Sequence, residues 1–423
     1  MNALTTKIVP LLLLGICLFC LLPQTKAVDI PSAKVVSLYE SILDTDIATL
    51  TRILVETNTE VIFRGYFRWG KESLADYPRL SNRIKSLKTA MPWIHFMGGI
   101  SCANFVDGDY WPNGTIVSAD QKLQMLWIVP NGTMPRHFAD PDKAYVLDIS
   151  KPLARQFILQ HSYKLIDAGF DSLFFDEVSF IPWNSGGFLT TYGLGQISEE
   201  PYLAAWKEIS SSVKEYARTM YRKELSVTLN NGNVNAIGEN RWSASHYWPY
   251  QDFISIGINL QTLETLSIQD DWAGYKAAVQ QAYGRVPATM IFMDWGKPPT
   301  PMSLFSKLSV DEQVRMLNML HETAARDGFL FVYPLHGGAM SEYSSVAYDA
   351  CREGTYDTIR QLTSTPVGTY TLTFTETSTV TAQMTTTMTV NTLGTSPSTF
   401  LVVAVICVLM GSLAITLKRP TPK

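Results

Sequence analysis

Between residues 28 and 362 the sequence alternates short apolar runs with longer amphipathic segments. The apolar runs are 61–69, 93–101, 144–149, 172–178, 225–231, 252–258, 288–295 and 328–335. Runs that are apolar almost throughout predict parallel strands buried on both faces. The clearest amphipathic segments between them are 151–168, 199–222, 270–283 and 309–327, each long enough for a helix.

Eight strand–helix units in one chain predict an α/β protein built as a (β/α)8 (TIM) barrel. The alternative, an open doubly wound sheet, usually carries a Gly-rich phosphate-binding turn after its first strand. The first predicted strand instead continues into Arg68-Trp69-Gly70-Lys71. Long insertions are expected in two βα loops, at 102–143 after the second predicted strand and at 179–198 after the fourth.

The two ends of the chain predict export and membrane anchoring. Residues 1–27 have a basic start, a continuous apolar stretch and a small-residue cleavage site, as in a signal peptide, although an uncleaved anchor is an alternative. Residues 400–417 are apolar and long enough to span a membrane. The basic tail, 418–423, places the C-terminus in the cytoplasm. We therefore expect a single-pass type I protein of the cell membrane, with the 28–362 barrel domain outside the cell.

A Ser/Thr-rich segment, 363–399, separates the predicted barrel from the predicted span. Such a composition cannot bury a core and predicts an extended stalk. The regular alternation of Thr with other residues also permits a strand. The expected role of the segment is to hold the barrel away from the membrane.

Cysteines and glycosylation motifs agree with export. Of the five cysteines, only Cys102 and Cys351 lie in the predicted ectodomain, and outside the cell they are able to form a disulfide or to remain free. Asn113-Gly-Thr and Asn131-Gly-Thr are N-glycosylation acceptor motifs in a turn-rich stretch, so both are expected on the surface.

Acidic residues stand at the ends of several predicted strands, where barrel enzymes place their active sites. Asp176 and Glu177 end the fourth predicted strand, Asp294 ends the seventh, and Asp148 lies near the end of the third. A carboxylate in such a place is costly unless it is paired or used in the function. The alternatives are an Arg or Lys partner for these carboxylates and a helix cap for Asp148.

Further polar and aromatic residues at or beyond strand ends are candidates for binding a sugar, since an aromatic ring can stack on a pyranose while polar groups bind its hydroxyls. Taken singly, each also has a structural explanation. The candidates are Arg68, Trp69, Asp148, Asn230, Asn231, Asn259, Trp295, Tyr333 and His336.

Two of these strand ends resemble known enzymes. The stretch GFDSLFFDEV (169–178) is similar to the fourth βα unit of barrel glycoside hydrolases, especially the spherulin-4 and endo-α-1,4-polygalactosaminidase type. MIFMDWG (290–296) resembles the seventh strand of cellulase-like retaining β-glycosidases, with Asp294 in place of their Glu. The resemblance is at the level of a clan. It implies a (β/α)8 glycoside hydrolase acting on a carbohydrate.

Glycosidic cleavage needs one carboxylic acid to protonate the leaving oxygen and a second carboxylate to attack or stabilise the sugar carbon. We expect Glu177 to be the acid/base and Asp294 the nucleophile or base. Asp176 would then orient the substrate or disfavour the charge on Glu177 by like-charge proximity. A competing assignment, as in amylase-like barrels, makes Asp176 the nucleophile.

Other chemistries lack support in the sequence. The net charge is -4 and there is no Lys/Arg cluster, which argues against nucleic acid as a partner. No nucleophile elbow, phosphate loop or dinucleotide motif is present, and the histidines are too scattered to predict a metal site, so neither cofactor nor metal is expected. An inactive barrel that binds glycans or serves the cell envelope is the main alternative, favoured if the carboxylates pair with Arg64 or Arg68.

Overall fold

A computed structural model describes most of the predicted barrel domain. The described residues are 33–38, 42–70, 72–137, 144–183, 197–233, 246–294, 299–337, 348–364, 369–377 and 383–391. The predicted signal peptide, the predicted span 400–417, the basic tail and Trp295 lie outside them. Within these ranges no helix is long and apolar enough to cross a membrane.

The strands of the described residues fall into one large sheet and three small ones. They are β1 (Val35–Ser37), β2 (Val61–Arg68), β3 (His95–Ser101), β4 (Asn104–Val106), β5 (Ala144–Val146), β6 (Ser172–Asp176), β7 (Ser226–Asn233), β8 (Ile254–Gly257), β9 (Thr289–Phe292), β10 (Leu330–Pro334), β11 (His336–Gly337), β12 (Tyr348–Asp349), β13 (Thr369–Thr377) and β14 (Gln383–Asn391). The α-helices are Ile47–Glu56, Asp76–Ala90, Ala119–Met125, Pro152–Ala168, Phe180–Trp183, Glu200–Tyr221, Leu260–Thr265, Trp272–Tyr283, Pro301–Phe305, Val310–Asp327, Ala350–Glu353 and Tyr356–Thr363.

Eight parallel strands close into a barrel in the order β1-β10-β9-β8-β7-β6-β3-β2. Its interior is filled by alternate residues of the strands, because successive side chains of a strand point to opposite faces. Phe63, Phe174 and Phe292 meet there, with ring centroids 5.0–5.8 Å apart. A second apolar layer packs between the strands and the surrounding helices. The (β/α)8 barrel expected from the sequence is confirmed.

Two strand predictions were wrong. One barrel strand was missed and another was assigned in error, so the predicted number of barrel strands is unchanged. β1 was missed because it has only three residues. Residues 144–149 were counted as a barrel strand, but β5 pairs antiparallel with β4 in a separate two-stranded sheet. Its residues are apolar because the insertion buries them. As a result β6 is still the fourth barrel strand and β9 the seventh, while the first long insertion follows the third strand.

The four predicted helices are confirmed to within two residues at each end. The helix Pro152–Ala168 begins with Pro in its first turn and ends at Gly169, whose φ of 106° is a left-handed conformation that favours glycine. The helix Val310–Asp327 begins at a capping box in which Ser309 and Glu312 satisfy each other's backbone N–H groups. These ends set the lengths of the βα units and hence the barrel's closure.

The Thr-rich segment contains a two-stranded antiparallel sheet, in which β13 pairs with β14 from Thr369↔Asn391 to Thr377↔Gln383. The strand that the sequence permits as an alternative is therefore present in these residues. Alternation of Thr with Tyr, Leu, Phe, Met and Val is the pattern of a strand, and it decided the structure here.

Cys102 and Cys351 are both free in the structure. Cys102 is buried just after β3, whereas Cys351 is exposed in the helix Ala350–Glu353, so the disulfide between them does not form. The two acceptor asparagines are exposed as expected. The side chains of Asn113 and Asn131 each accept a hydrogen bond from the backbone two residues on, in a tight turn.

Candidate active site

Three carboxylates lie at the carboxyl-terminal mouth of the barrel. Asp176 is the last residue of β6, Glu177 follows it, and Asp294 lies two residues beyond β9. Phe174 and Phe292 point into the barrel, and strand alternation places Asp176 and Asp294 on the same inner side. The negative charges of Glu177 and Asp294 both act on Asp176. The predicted strand-end carboxylates are therefore neighbours in space.

Arg64 reaches these carboxylates from inside β2. The pairing of β2 with β3 shifts register between Ile62 and Tyr66, and Arg64 adopts a left-handed φ of 50° within this bulge. Its guanidinium lies 4.3 Å from the centroid of the Phe67 ring, and its Nη1 donates to Asp294 Oδ1 at 3.0 Å. A bulge that is costly for a non-glycine residue thus brings a buried cation to the mouth.

Gly99 makes room for this arrangement. A Cβ at this position would lie 2.0 Å from Cδ2 of Phe67, which no real contact allows. Because Gly99 is opposite Phe67 on the adjacent strand, the ring occupies the space that a side chain would take. The ring in turn supports the guanidinium of Arg64.

Glu177 is held at both carboxylate oxygens. Ser101 Oγ donates to Oε2 at 2.7 Å, and His137 Nε2 lies 2.9 Å from Oε1. The backbone of Glu177 has a left-handed φ of 59°, which turns its side chain out of the strand's alternation. His137 is fully buried, stacked on Phe180 and edge-on to Trp69.

Asp176 has the least favourable environment for a negative charge. Burial raises the pKa of Asp176 to about 8, with the neighbouring charges of Glu177 and Asp294 adding to the effect. Arg64 opposes the shift, as does Asn230, whose Nδ2 donates to Asp176 Oδ1 at 3.0 Å. This environment favours the protonated form of Asp176.

Arg68 and Tyr333 do not face the mouth, so their prediction as sugar ligands was wrong. Arg68 is buried outside the barrel, where its Nη2 donates to Asp109 Oδ1 at 2.7 Å. Tyr333 packs outward, with its hydroxyl 2.5 Å from His321 Nδ1 on a surrounding helix. The bulge adds two residues to β2, so the alternation is the same on both sides of it: Phe63 and Phe67 face inward and Arg68 faces outward. Arg64 points inward only because it lies within the bulge.

Asn231 is also committed to the protein. It is fully buried, its Nδ2 donates to the carbonyl oxygens of Leu229 and Ser255, and its Oδ1 accepts from Trp248 Nε1 at 3.1 Å. A sugar cannot reach these atoms, and the prediction that Asn231 binds substrate was wrong.

Asp148 and Asn259 both lie near the start of a helix, and of the two only Asn259 caps it. Asp148 is buried and accepts hydrogen bonds from the backbone N–H and the hydroxyl of Ser150, at 3.1 and 2.6 Å, just before the helix Pro152–Ala168. Asn259 accepts from Gln261 N at 3.0 Å and begins the helix Leu260–Thr265. The helix Pro152–Ala168 has Lys151 as its N-cap and no side-chain cap, so Asp148 holds the turn before the helix and does not cap it.

The remaining candidates for sugar binding lie in different places. Asn230 and Trp69 lie with the carboxylates, through Asp176 and through the ring of His137. His336 is partly exposed in β11, beyond the end of β10, and burial lowers its pKa. Within the described ranges no group of three His, Cys, Asp or Glu side chains is arranged to hold a metal ion.

Ser101 and His137 were missed as site residues. Ser101 ends β3 in register with Asp176, so the same reading of strand ends that selected Asp176 would have found it. His137 lies in the long insertion far from any strand end of the barrel, and nothing in the local sequence indicates its contact with Glu177.

A comparison with protein-family models finds no match, and a comparison with curated proteins finds none either. Solved structures with similar folds include Aspergillus fumigatus Ega3 in complex with galactosamine, with 11% identity and a TM-score of 0.40 over 75% of this chain and 95% of that one. The glycoside hydrolase domain of PelA from Pseudomonas aeruginosa has 13% identity and a TM-score of 0.37 over 71% and 94%. Cyclic α-maltosyl-(1→6)-maltose hydrolase from Arthrobacter globiformis has 10% identity and a TM-score of 0.46 over 82% and 87%. Because these identities and TM-scores are low, the chemistry of the site is argued only from the contacts within it.

Proposed function

We propose that this chain is a glycoside hydrolase that cleaves an extracellular polysaccharide or glycan with carboxyl groups at the barrel mouth. The observation that carries the proposal is the contrast between the environments of two of these carboxyl groups, Asp176 and Asp294. Asp176 keeps its proton until about pH 8, whereas Asp294 is paired with the guanidinium of Arg64. Carboxyl groups whose environments favour opposite protonation states are the acid and base pair that glycosidic cleavage requires.

Asp176 is the general acid in this proposal. Its proton passes to the glycosidic oxygen as the bond from that oxygen to the sugar carbon breaks, and the leaving sugar departs as a neutral alcohol. This assignment replaces the sequence-based choice of Glu177, because burial raises the pKa of Asp176, whereas the Glu177 carboxylate is held by Ser101 and lies against His137.

Asp294 supplies the second carboxylate. Its side chain is 36% exposed, so it is open to the mouth while Arg64 favours its ionised form. It either attacks the sugar carbon or directs water to it, and water completes the hydrolysis in both cases. The partly exposed ring of Trp69 offers an apolar face beside the site for a pyranose. These steps need no cofactor.

The test is release of new reducing ends from a panel of neutral and amino-sugar polysaccharides by the full-length protein. We expect Asp176→Asn and Asp294→Asn to lower the rate by roughly 100-fold or more, in line with the loss of an acid or a nucleophile. Asp120→Asn, at an exposed carboxylate on the helix Ala119–Met125, is the matched control and should keep full activity. Hydrolysis that survives both site variants would contradict the proposal.

A barrel that binds glycans without cleaving them is the second candidate. It is favoured by the 3.0 Å ion pair between Arg64 and Asp294 and by the two contacts on Glu177, since each carboxylate then has a structural partner. Glycan binding by the wild type, with no reducing ends released and no loss of binding in Asp176→Asn, would favour this reading.

We also propose the location that the sequence predicts, a type I protein with its barrel on the cell surface. The exposed acceptor motifs at Asn113 and Asn131 support glycosylation there. Protease added to intact cells should remove the barrel and leave a membrane-bound fragment that contains 400–417. Asn113→Gln with Asn131→Gln should increase electrophoretic mobility. Protection of the barrel from protease would contradict this location.

A further inference from the structure

We propose that His137 is a positioning residue that holds the Glu177 carboxylate beside Asp176. The inference deepens the proposed function and depends on it for its catalytic consequence. It gives a role to the insertion between β3 and β6, which delivers the histidine.

The carboxylate of Glu177 has a defined partner on each oxygen. Ser101 Oγ accepts hydrogen bonds from the backbone N–H groups of Ala103 and Asn104, at 3.3 and 3.1 Å, so its own hydrogen is directed to Glu177 Oε2. His137 Nε2 lies 2.9 Å from the other oxygen, Oε1. With both oxygens engaged and an unusual backbone conformation, Glu177 has one orientation.

His137 is itself immobilised. Its imidazole lies parallel to the Phe180 ring, with centroids 4.8 Å apart and an interplanar angle of 19°, and it meets the Trp69 ring edge-on at 5.2 Å. Its backbone N–H donates to Ala144 O at 3.1 Å, and the carbonyl oxygen of Trp69 accepts from Asn104 Nδ2 at 2.8 Å. Aromatic rings on two sides thus hold the imidazole with its Nε2 close to Glu177 Oε1.

Several charged or titratable groups surround this pair. Asp294 and Arg64 face Asp176 from other strands, and the buried Cys102 thiol lies close enough for Asp176 and Glu177 to raise its pKa beyond the effect of burial. The negative charge of Glu177 beside Asp176 adds to the effect of burial in raising the pKa of Asp176. His137 and Ser101 hold the Glu177 carboxylate in this place, which favours the proton on Asp176 where the acid is needed.

The test compares two variants of the full-length protein. His137→Phe keeps the aromatic packing but removes the nitrogen, whereas His137→Gln places an amide N–H near the same point. For His137→Phe we expect kcat to fall about tenfold or more with KM changed less than threefold. We also expect the alkaline limb of the pH profile to rise by about one unit, since the doubly ionised pair has lost a donor. His137→Gln should recover most of kcat and the wild-type limb.

His161→Phe is the matched control, since His161 is equally buried but bonds to Tyr77 and Tyr110 outside the barrel. It should lower stability without moving the pH profile. The inference would be overturned if His137→Phe kept the wild-type kcat and the wild-type alkaline limb of the pH profile. It would also be overturned if the kcat of His137→Gln were no higher than that of His137→Phe.

Infrared titration of the carboxyl groups separates this inference from the proposed function, because it needs no activity. The wild type should show a protonated carboxyl that ionises near pH 8 and is absent in Asp176→Asn. In His137→Phe its midpoint should move upward, and in His137→Gln it should return. If this occurs in a protein that hydrolyses no glycan, the proposed function fails and the positioning role stands. If hydrolysis occurs but the midpoint is the same in all three proteins, the positioning role fails.

Discussion

Asp176→Asn should be more stable than the wild type, and the difference in the free energy of unfolding should grow as the pH rises. The pKa of Asp176 is about 8 in the folded protein and near 3.8 when unfolded. Between these values the folded state binds more protons, so wild-type stability falls with increasing pH over this window. Asn is uncharged throughout and its side-chain oxygen can still accept from Asn230.

The magnitude follows from the width of that window. About four pH units at about 1.4 kcal/mol each give an upper value of about 6 kcal/mol. Asp176 is partly exposed at the mouth, so we expect the variant to gain roughly 2–3 kcal/mol relative to the wild type between pH 4 and pH 8. Urea unfolding followed by Trp fluorescence at pH 4, 6 and 8 measures this difference.

Asp171→Asn is a control in which the change in stability should have the opposite sign. Burial alone would raise the pKa of Asp171, but Lys223 and Lys88, at 3.0 and 2.7 Å, together lower it. Asp171→Asn should therefore cost stability at neutral pH, and the cost should vanish as the pH falls through the depressed pKa. A difference between Asp176→Asn and wild type that is constant from pH 4 to pH 8 would refute the argument that Asp176 holds a proton.

Three further predictions follow from the contacts. Gly99→Ala should lower stability by about 1–3 kcal/mol by displacing Phe67, and adding Phe67→Leu should recover part of it in the same unfolding assay. Arg64→Lys should lower kcat at least tenfold, because a lysine cannot reproduce the planar guanidinium stacked on a ring, and steady-state kinetics would show this. A thiol reagent should label Cys351 quickly in the native protein and Cys102 only after unfolding; equal rates at the two sites would contradict the buried position of Cys102.

The barrel could be predicted from the sequence because its signal is repeated. Eight units of apolar run and amphipathic helix constrain the fold even when single strands are misassigned, as the cancelling errors at β1 and β5 demonstrate. The carboxylates Asp176 and Asp294 were found because both lie at the ends of barrel strands, where their side chains face inward.

Side-chain direction and loop position were less predictable. Arg68 follows inward-facing Phe67 and therefore faces outward, as strand alternation alone requires. Arg64 points inward only because it lies within a bulge, which the sequence does not reveal. Tyr333 shares a strand with inward Val332 and points the other way. His137 depends on the path of a long insertion, which residue spacing does not determine.

The most direct test of the account measures the wild type and Asp176→Asn on two substrates with the same sugar, one with an alcohol and one with a nitrophenol leaving group. The first needs protonation of the leaving oxygen and the second does not. We predict that the variant loses at least 100-fold on the alcohol substrate and less than about tenfold on the nitrophenol substrate. Equal losses on both would contradict the role of Asp176 as the acid, and a wild type inactive on both would contradict the proposed hydrolysis.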